Sequence, residues 1–281
     1  MNEPLTSFGI PSDVLVWQAT FFTVLSFAVG ILGGAVGLAL GTIRLSFLLL
    51  LGMPPRMAAG TNILVSTLSA ATGSYRHFRA GRVDFNVVAI QGIPAMIGAF
   101  IGGFAGGHVP EEILILAAGI LVVWQGIDLL LRARRDQKTS GATLTPTNHQ
   151  LEGFARWTTA RITSEAIVGF GIGLLAGAVG LILGTLRLPA LIMILHINPH
   201  VAVGSNLVIG FLMGGFGWVG HLTRGQVDFP ILTLMAITGM AGTYYGARLT
   251  GKMSARGLLS LMAIVLVVVG LLLIRDAYGR F

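Results

Sequence analysis

Apolar residues run along this chain in blocks long enough to cross a bilayer, separated by short polar turns. In the first half the blocks fall at about 14–51, 57–75, 87–107 and 113–131; in the second they fall at about 166–197, 200–220, 231–250 and 257–274. A spanning helix needs about 20 apolar residues, so the opening block of each half is too long for one helix. Glycines interrupt both: Gly33, Gly34, Gly37 and Gly41 in one, Gly177, Gly180 and Gly184 in the other. The pattern predicts two helical segments there, or a re-entrant hairpin, broken near the glycines. Irregular backbone at membrane depth is tolerated only inside protein or along a cavity. The predicted fold is an all-α polytopic membrane protein with about five segments per half. It divides into a first membrane repeat (1–131), a cytoplasmic connector (132–165) and a second membrane repeat (166–281). A short interfacial helix around Phe154 and Trp157 fits the connector.

The halves repeat one another. GAVGLALGTIRL at 34–45 answers to GAVGLILGTLRL at 177–188, and HFRAGRVDF at 77–85 answers to HLTRGQVDF at 221–229. Between them Gly60 and Asn62 answer to Gly204 and Asn206. Basic residues gather in the loop at 76–86 (Arg76, Arg79, Arg82) and in the connector, whereas the N-terminus carries Glu3 and Asp13. Under the positive-inside rule, five segments per half place these on their expected sides with the N-terminus outside; Arg275 and Arg280 are the exception. An odd count makes the halves inverted repeats, while four spans per half would make them parallel.

Composition agrees with the pattern. The chain is 54% hydrophobic and 10% charged, whereas a soluble domain is about 25% charged. The net charge of +7 belongs to loops between apolar runs, so it predicts a bilayer and not nucleic acid as partner. There is no cysteine, hence no disulfide framework. No nucleotide loop, metal-ligand cluster or nucleophile motif is present, so neither a cofactor, a metal nor an enzyme activity is expected. The N-terminus lacks a basic n-region, so the first apolar run is expected to stay in the mature protein.

Arg44 and Arg187 are the main candidates for chemistry. A charge at bilayer depth costs about 2.5–3.5 kcal/mol on insertion scales and marks a functional site by default. Each follows a Gly-Thr pair, Gly41-Thr42 and Gly184-Thr185. Glycine lets the chain break and threonine can cap a helix, so a half-helix starting there would present free N–H groups to an anion. The competing reading is an arginine that snorkels to an interface or pairs with an acid, for which Asp128 and Glu165 are the nearby supply. Asn62 and Asn206 either donate to an oxyanion or hold helices together. His77 with Asp84, and His221 with Asp228, allow a proton-coupling role. The plainer reading is a turn at Gly81 or Gly225, with the aspartate capping the next helix. The ridges Gly98-x3-Gly102 and Gly242-x3-Gly246 read as close helix packing.

At these residues the chain resembles the TauE/SafE family of membrane permeases, linked to export of sulfite and organosulfonates. Gly37 and Gly41, and Gly180 and Gly184, fit the ends of the family's glycine string; Pro189 fits its proline; Gly81 to Asp84 and Gly225 to Asp228 fit its G-x-V-D loop. Ala39, Leu40, Ile182 and Leu183 replace usual glycines, Ser46 replaces the first-half proline, and the two arginines stand where the family commonly has aliphatic residues. The resemblance implies a secondary transporter of the cell inner membrane, carrying a sulfur oxyanion or an organosulfonate such as sulfite or sulfoacetate by alternating access. An anion channel, a small-carboxylate transporter and a membrane scaffold are the alternatives, and a homodimer is compatible with all of them.

Overall fold

The computed structural model describes residues 3–36, 40–79, 81–105, 110–138, 158–179, 187, 191, 199–222, 227–249 and 255–279. Helix follows helix: α1 (Val16–Val36), α2 (Gly41–Leu50), α3 (Pro55–Arg79), α4 (Phe85–Ala105), α5 (Glu111–Lys138), α6 (Thr159–Val179), α7 (Pro199–Leu222), α8 (Phe229–Leu249) and α9 (Ala255–Tyr278). Among the described residues extended pairing is limited to one bridge, Pro4 with Leu15. The long opening block of the first half is indeed two helices, α1 and the ten-residue α2. The polar connector is helical at both ends, because α5 runs on to Lys138 and α6 starts at Thr159.

The halves interlock. α1 packs along α8 and α6 along α4, while α5 packs on α9 and α3 on α7. Each opening helix therefore lies on the helix that follows the G-x-V-D loop of the other half. The glycine ridges make this contact. A Cβ at Gly242 or Gly246 would collide with the carbonyls of Phe27 or Ile31, and one at Gly98 or Gly102 with those of Phe170 or Leu174. Phe27 and Ile31 answer to Phe170 and Leu174 in the repeat, so both interfaces are built alike. With little apolar driving force between helices in lipid, such small-residue contacts let dispersion and backbone approach hold a bundle together.

Equivalent helices run antiparallel. Gly119 and Gly126 of α5 meet the carbonyls of Gly270 and Ala263 of α9, and Gly73 and Ile63 of α3 meet Leu207 and Gly217 of α7. The G-x-V-D loops fasten the same pair. The Asp84 N–H, after α3, donates to Ser205 Oγ of α7 (2.8 Å), and the Asp228 N–H, after α7, donates to Thr61 Oγ1 of α3 (3.0 Å).

Polar α3 is central: Thr61, Asn62, Ser66, Thr67, Ser69 and Ser74 are all buried. Large apolar side chains face outward instead, including Ile93, Ile97 and Phe104 on α4, Ile120 and Trp124 on α5, and Ile264 and Leu271 on α9. An exposed apolar belt of this extent suits lipid. Val16–Gly34 and Phe85–Ala105 are long and apolar enough to cross a membrane by length and composition.

Candidate functional site

α2 is a half-helix, about 15 Å long at 1.5 Å per residue. Its C-terminal end returns to the start of α1, where Gln18 Nε2 donates to the Leu51 carbonyl at 2.9 Å. Its N-terminal end therefore lies partway down α1, beside the middle of α3. Leu40 is the N-cap and gives no side-chain cap bond, so the cap residue itself satisfies none of the first-turn N–H groups. Here the structure corrects the expectation for Thr42. It sits inside the first turn and does not cap it, because Gly41 starts the helix pressed against α3, where a Cβ would collide with Ser66 Oγ. The Thr42 hydroxyl is buried, and Oγ1 meets no partner.

Arg44 and Arg187 are the largest fully buried side chains, 1% and 0% exposed. Snorkelling to an interface is thereby excluded for both. Arg44 Nη2 donates to Ser66 Oγ at 2.9 Å, while its Nε and Nη1 find no acceptor. Such orphaned charged donors are costly in a dry interior. Gly239 of α8 closes the pocket from the other half. A Cβ there would stand 2.8 Å from Ser26 Oγ, 3.0 Å from Ser69 Oγ and 3.4 Å from Arg44 Nη1. The protons of those two serines are committed, Ser26 to the Met235 carbonyl (2.6 Å) and Ser69 to the Val65 carbonyl (2.9 Å). Neither hydroxyl is therefore bonded to the guanidinium. The unpartnered donors on α2 are thus Arg44 Nε and Nη1 and, two residues before it, Thr42 Oγ1. Asn62 of α3 stands beside the start of α2, its Nδ2 3.2 Å from where a Cβ at Gly41 would lie.

From Arg44 a narrow cavity of ≈ 10 Å³ follows the face of α3 through Ser69 and Gly73 to His77. That is room for about one water. A wider recess of ≈ 620 Å³ opens at the opposite end of α3, between Ser12, Asp13, Gln18, Met57 and Asp228.

Arg187 has a different setting. Its Nε donates to Asn206 Oδ1 at 3.2 Å and its Nη1 to the Met213 sulfur at 3.4 Å, a weak acceptor, while Nη2 has none. Arg187 does not line the Arg44 cavity. The structure therefore sets Arg44 on Ser66 of α3, with Gly41 against Ser66 and Asn62 of the same helix, and holds Arg187 on Asn206. Thr185 and Gly184 lie outside the described residues, as does the side chain of His221.

The two loop aspartates sit apart. Gly81 takes φ +67, and the Asp84 carboxylate accepts from the N–H groups of Asn86 (2.9 Å) and Val87 (3.4 Å). Asp228 Oδ1 accepts from Ile231 N (3.0 Å) while Oδ2 accepts from Ser12 Oγ (2.7 Å). Both are helix caps, which is the plainer of the two readings of that motif. His77 ends the Arg44 cavity. Sequence reasoning missed Ser26, Ser66, Ser69 and Gly239; the one signal was that Ser66 and Ser69 follow Asn62 at helical spacing.

The chain matches the sulfite exporter TauE/SafE family over residues 22–273. Its relatives include three probable membrane transporter proteins of Bacillus subtilis (strain 168). YdhB is 26% identical over 88% of this chain and 97% of its own length. YunE is 25% identical over 90% and 96%, and YjnA 27% identical over 88% and 96%. No solved structure matches it. The chain is therefore a membrane transporter, not an enzyme, and belongs to the sulfite exporter TauE/SafE family.

Proposed function

We propose that this protein is a multi-pass secondary transporter of the inner membrane that carries a small anion, a sulfur oxyanion or organosulfonate such as sulfite or sulfoacetate, by alternating access. One observation carries the reading: Arg44 is wholly buried at the uncapped end of a half-helix, with two guanidinium nitrogens and the Thr42 hydroxyl unpartnered. Discontinuous helices whose N-terminal ends meet an anionic group are a recurring feature of transporter sites. The sulfur chemistry comes from the family. A tetrahedral or sulfonate oxyanion fits a cluster of donors because it offers several acceptor oxygens and needs none in return. Arg187, held by Asn206, supplies the second half's share of positive potential.

We further read the halves as inverted repeats. The antiparallel runs of α3 on α7 and α5 on α9 support this, since equivalent helices related by an axis in the membrane plane must run in opposite directions. On this reading the recess beside Asp228 is the outer vestibule, and the narrow path to His77 leads to the cytoplasm. The test is binding: purified protein is screened by thermal shift against sulfite, sulfate, thiosulfate, sulfonates and carboxylates. A ligand that binds only the folded state raises the midpoint. Stabilisation by sulfonates or sulfur oxyanions, lost in Arg44→Leu, is expected. Stabilisation by carboxylates alone would replace the substrate class, and an unchanged response in Arg44→Leu would remove the site.

A further inference from the structure

Glu165 is a buried carboxylate, 7% exposed, in the first third of α6. Gln91 of α4 donates to it, Nε2 to Oε2 at 3.0 Å. Gln91 is 1% exposed, and its own Oε1 has no partner. It lies on a π-helical turn, Val88–Gly92. Such turns are rare and concentrate at functional sites.

The repeat supplies a control for each of these features. By the same offsets, Glu165 answers to Phe22, Gln91 to Met235 and Gly169 to Ser26. The positions superpose in space as well. Ser26 lies on the Met235 carbonyl, and a Cβ at Gly169 would stand 2.5 Å from the Gln91 carbonyl. Yet Phe22 and Met235 belong to the apolar core, and α8 is α-helical throughout. One copy of the fold thus fills this position with hydrocarbon. The other places there a carboxylate, an amide and an irregular turn.

We infer that Glu165 and Gln91 form a proton-binding site that couples proton movement to the anion transport proposed above, on which the coupling half of this inference rests. The chemistry is reversible protonation: an aqueous proton adds to a Glu165 oxygen and later leaves on the other side. Gln91 serves both states. Its N–H bonds to the carboxylate, and after amide rotation the unfilled Oε1 accepts from the protonated carboxyl. Burying a charge costs free energy that a bound proton removes. Beside Gln91, Gly92 abuts Ile209 of α7, one turn from Asn206, which holds Arg187. Among the helices packed on α6, α4 has no charged residue. α7 carries His200 and His221, α3 has Arg56, Arg76, His77 and Arg79 towards its ends, and α5 has Glu111, Glu112, Asp128 and a basic C-terminal end. On α6 itself Arg161 precedes Glu165 by one turn.

Two readouts on the full-length protein test this. The first needs no substrate. Infrared difference spectra on acidification should show a protonated carboxyl band that disappears in Glu165→Gln. The second uses methanesulfonate in proteoliposomes with the membrane potential clamped, because its charge does not change with pH. One proton per anion across about one pH unit supports about tenfold accumulation, which should fall to about onefold in Glu165→Gln while counterflow persists. An unchanged infrared band, or tenfold accumulation kept in the variant, overturns the inference. Loss of counterflow in folded Glu165→Gln also overturns it, in favour of a purely structural role. If Glu165→Gln does not fold, Gln91→Met, which installs the second-half residue, should displace the band and lower accumulation. No change in either would be equally fatal. A wild type that moves no methanesulfonate contradicts the transport reading for that sulfonate and leaves the infrared result to decide the proton site.

Discussion

The two arginines occupy the same place in the repeat and different places chemically. Around Arg44 stand Ser66, Ser69 and Ser26; their repeat counterparts are Gly210, Met213 and Gly169. The first-half guanidinium therefore sits among hydroxyl oxygens with a path leading away from it, and the second rests on an amide and a thioether. The helix-packing frame shows no such divergence, since its ridges collide with equivalent carbonyls in both copies. Close packing tolerates little change in volume, so a duplicated interface keeps its glycines. A polar side chain in a cavity has no such constraint and can take a separate role in each half.

The largest effect should fall on the shared frame. Gly102→Leu and Gly246→Leu each drive a side chain into a backbone carbonyl, which cannot move without shifting a helix. Both should abolish monodisperse protein on size exclusion, and to the same degree. Survival of one variant with loss of the other would break the equivalence of the two interfaces.

The arginines should then respond unequally. A hydrogen bond to a charged group contributes about 1.5–3 kcal/mol, so Arg44→Leu should weaken anion binding by roughly ten- to a hundredfold in calorimetry. Arg187→Leu should cost less, because its donors are already partly engaged by Asn206 and Met213. Equal losses would mean that both guanidinium groups touch the ligand. Arg44→Lys keeps the charge without the planar fork and should still be impaired.

A smaller effect sharpens the contrast at one neighbour. Ser69→Met gives the first half the second half's residue. It replaces a small hydroxyl in the lining of the Arg44 cavity and fills the path to His77. Transport should slow several-fold, because the bulkier thioether occupies the space beside the guanidinium. Met213→Ser, the reverse exchange, should leave transport within about twofold. If Met213→Ser is the more damaging, the anion sits at Arg187.

The smallest effect concerns the caps. Asn caps a helix about as well as Asp, so Asp84→Asn should leave the thermal midpoint and transport essentially unchanged. Asp228→Asn also weakens the bond from Ser12, worth about 1 kcal/mol, and should lower the midpoint by a few degrees. A pH profile altered by either variant would return the motif to coupling.

The sequence alone determined the class of this protein, its duplication, the break before α2 and the pair of buried arginines. These are local or periodic signals: apolar blocks of membrane length, glycines inside them, and a charge that lipid does not tolerate without use. It also carried the caps, because Gly81 and Asp84 act within a few residues of themselves. Tertiary structure decided what surrounds each arginine. Ser26 and Gly239 reach Arg44 only because α1 packs on α8 from the other half, and Gln91 meets Glu165 across 74 residues of chain. Serines, glycines and single glutamines are ordinary in membrane helices, so nothing in their own neighbourhood distinguishes those that converge. The packing of glycine ridges brings them together, and that choice of partner helix is a property of the whole bundle.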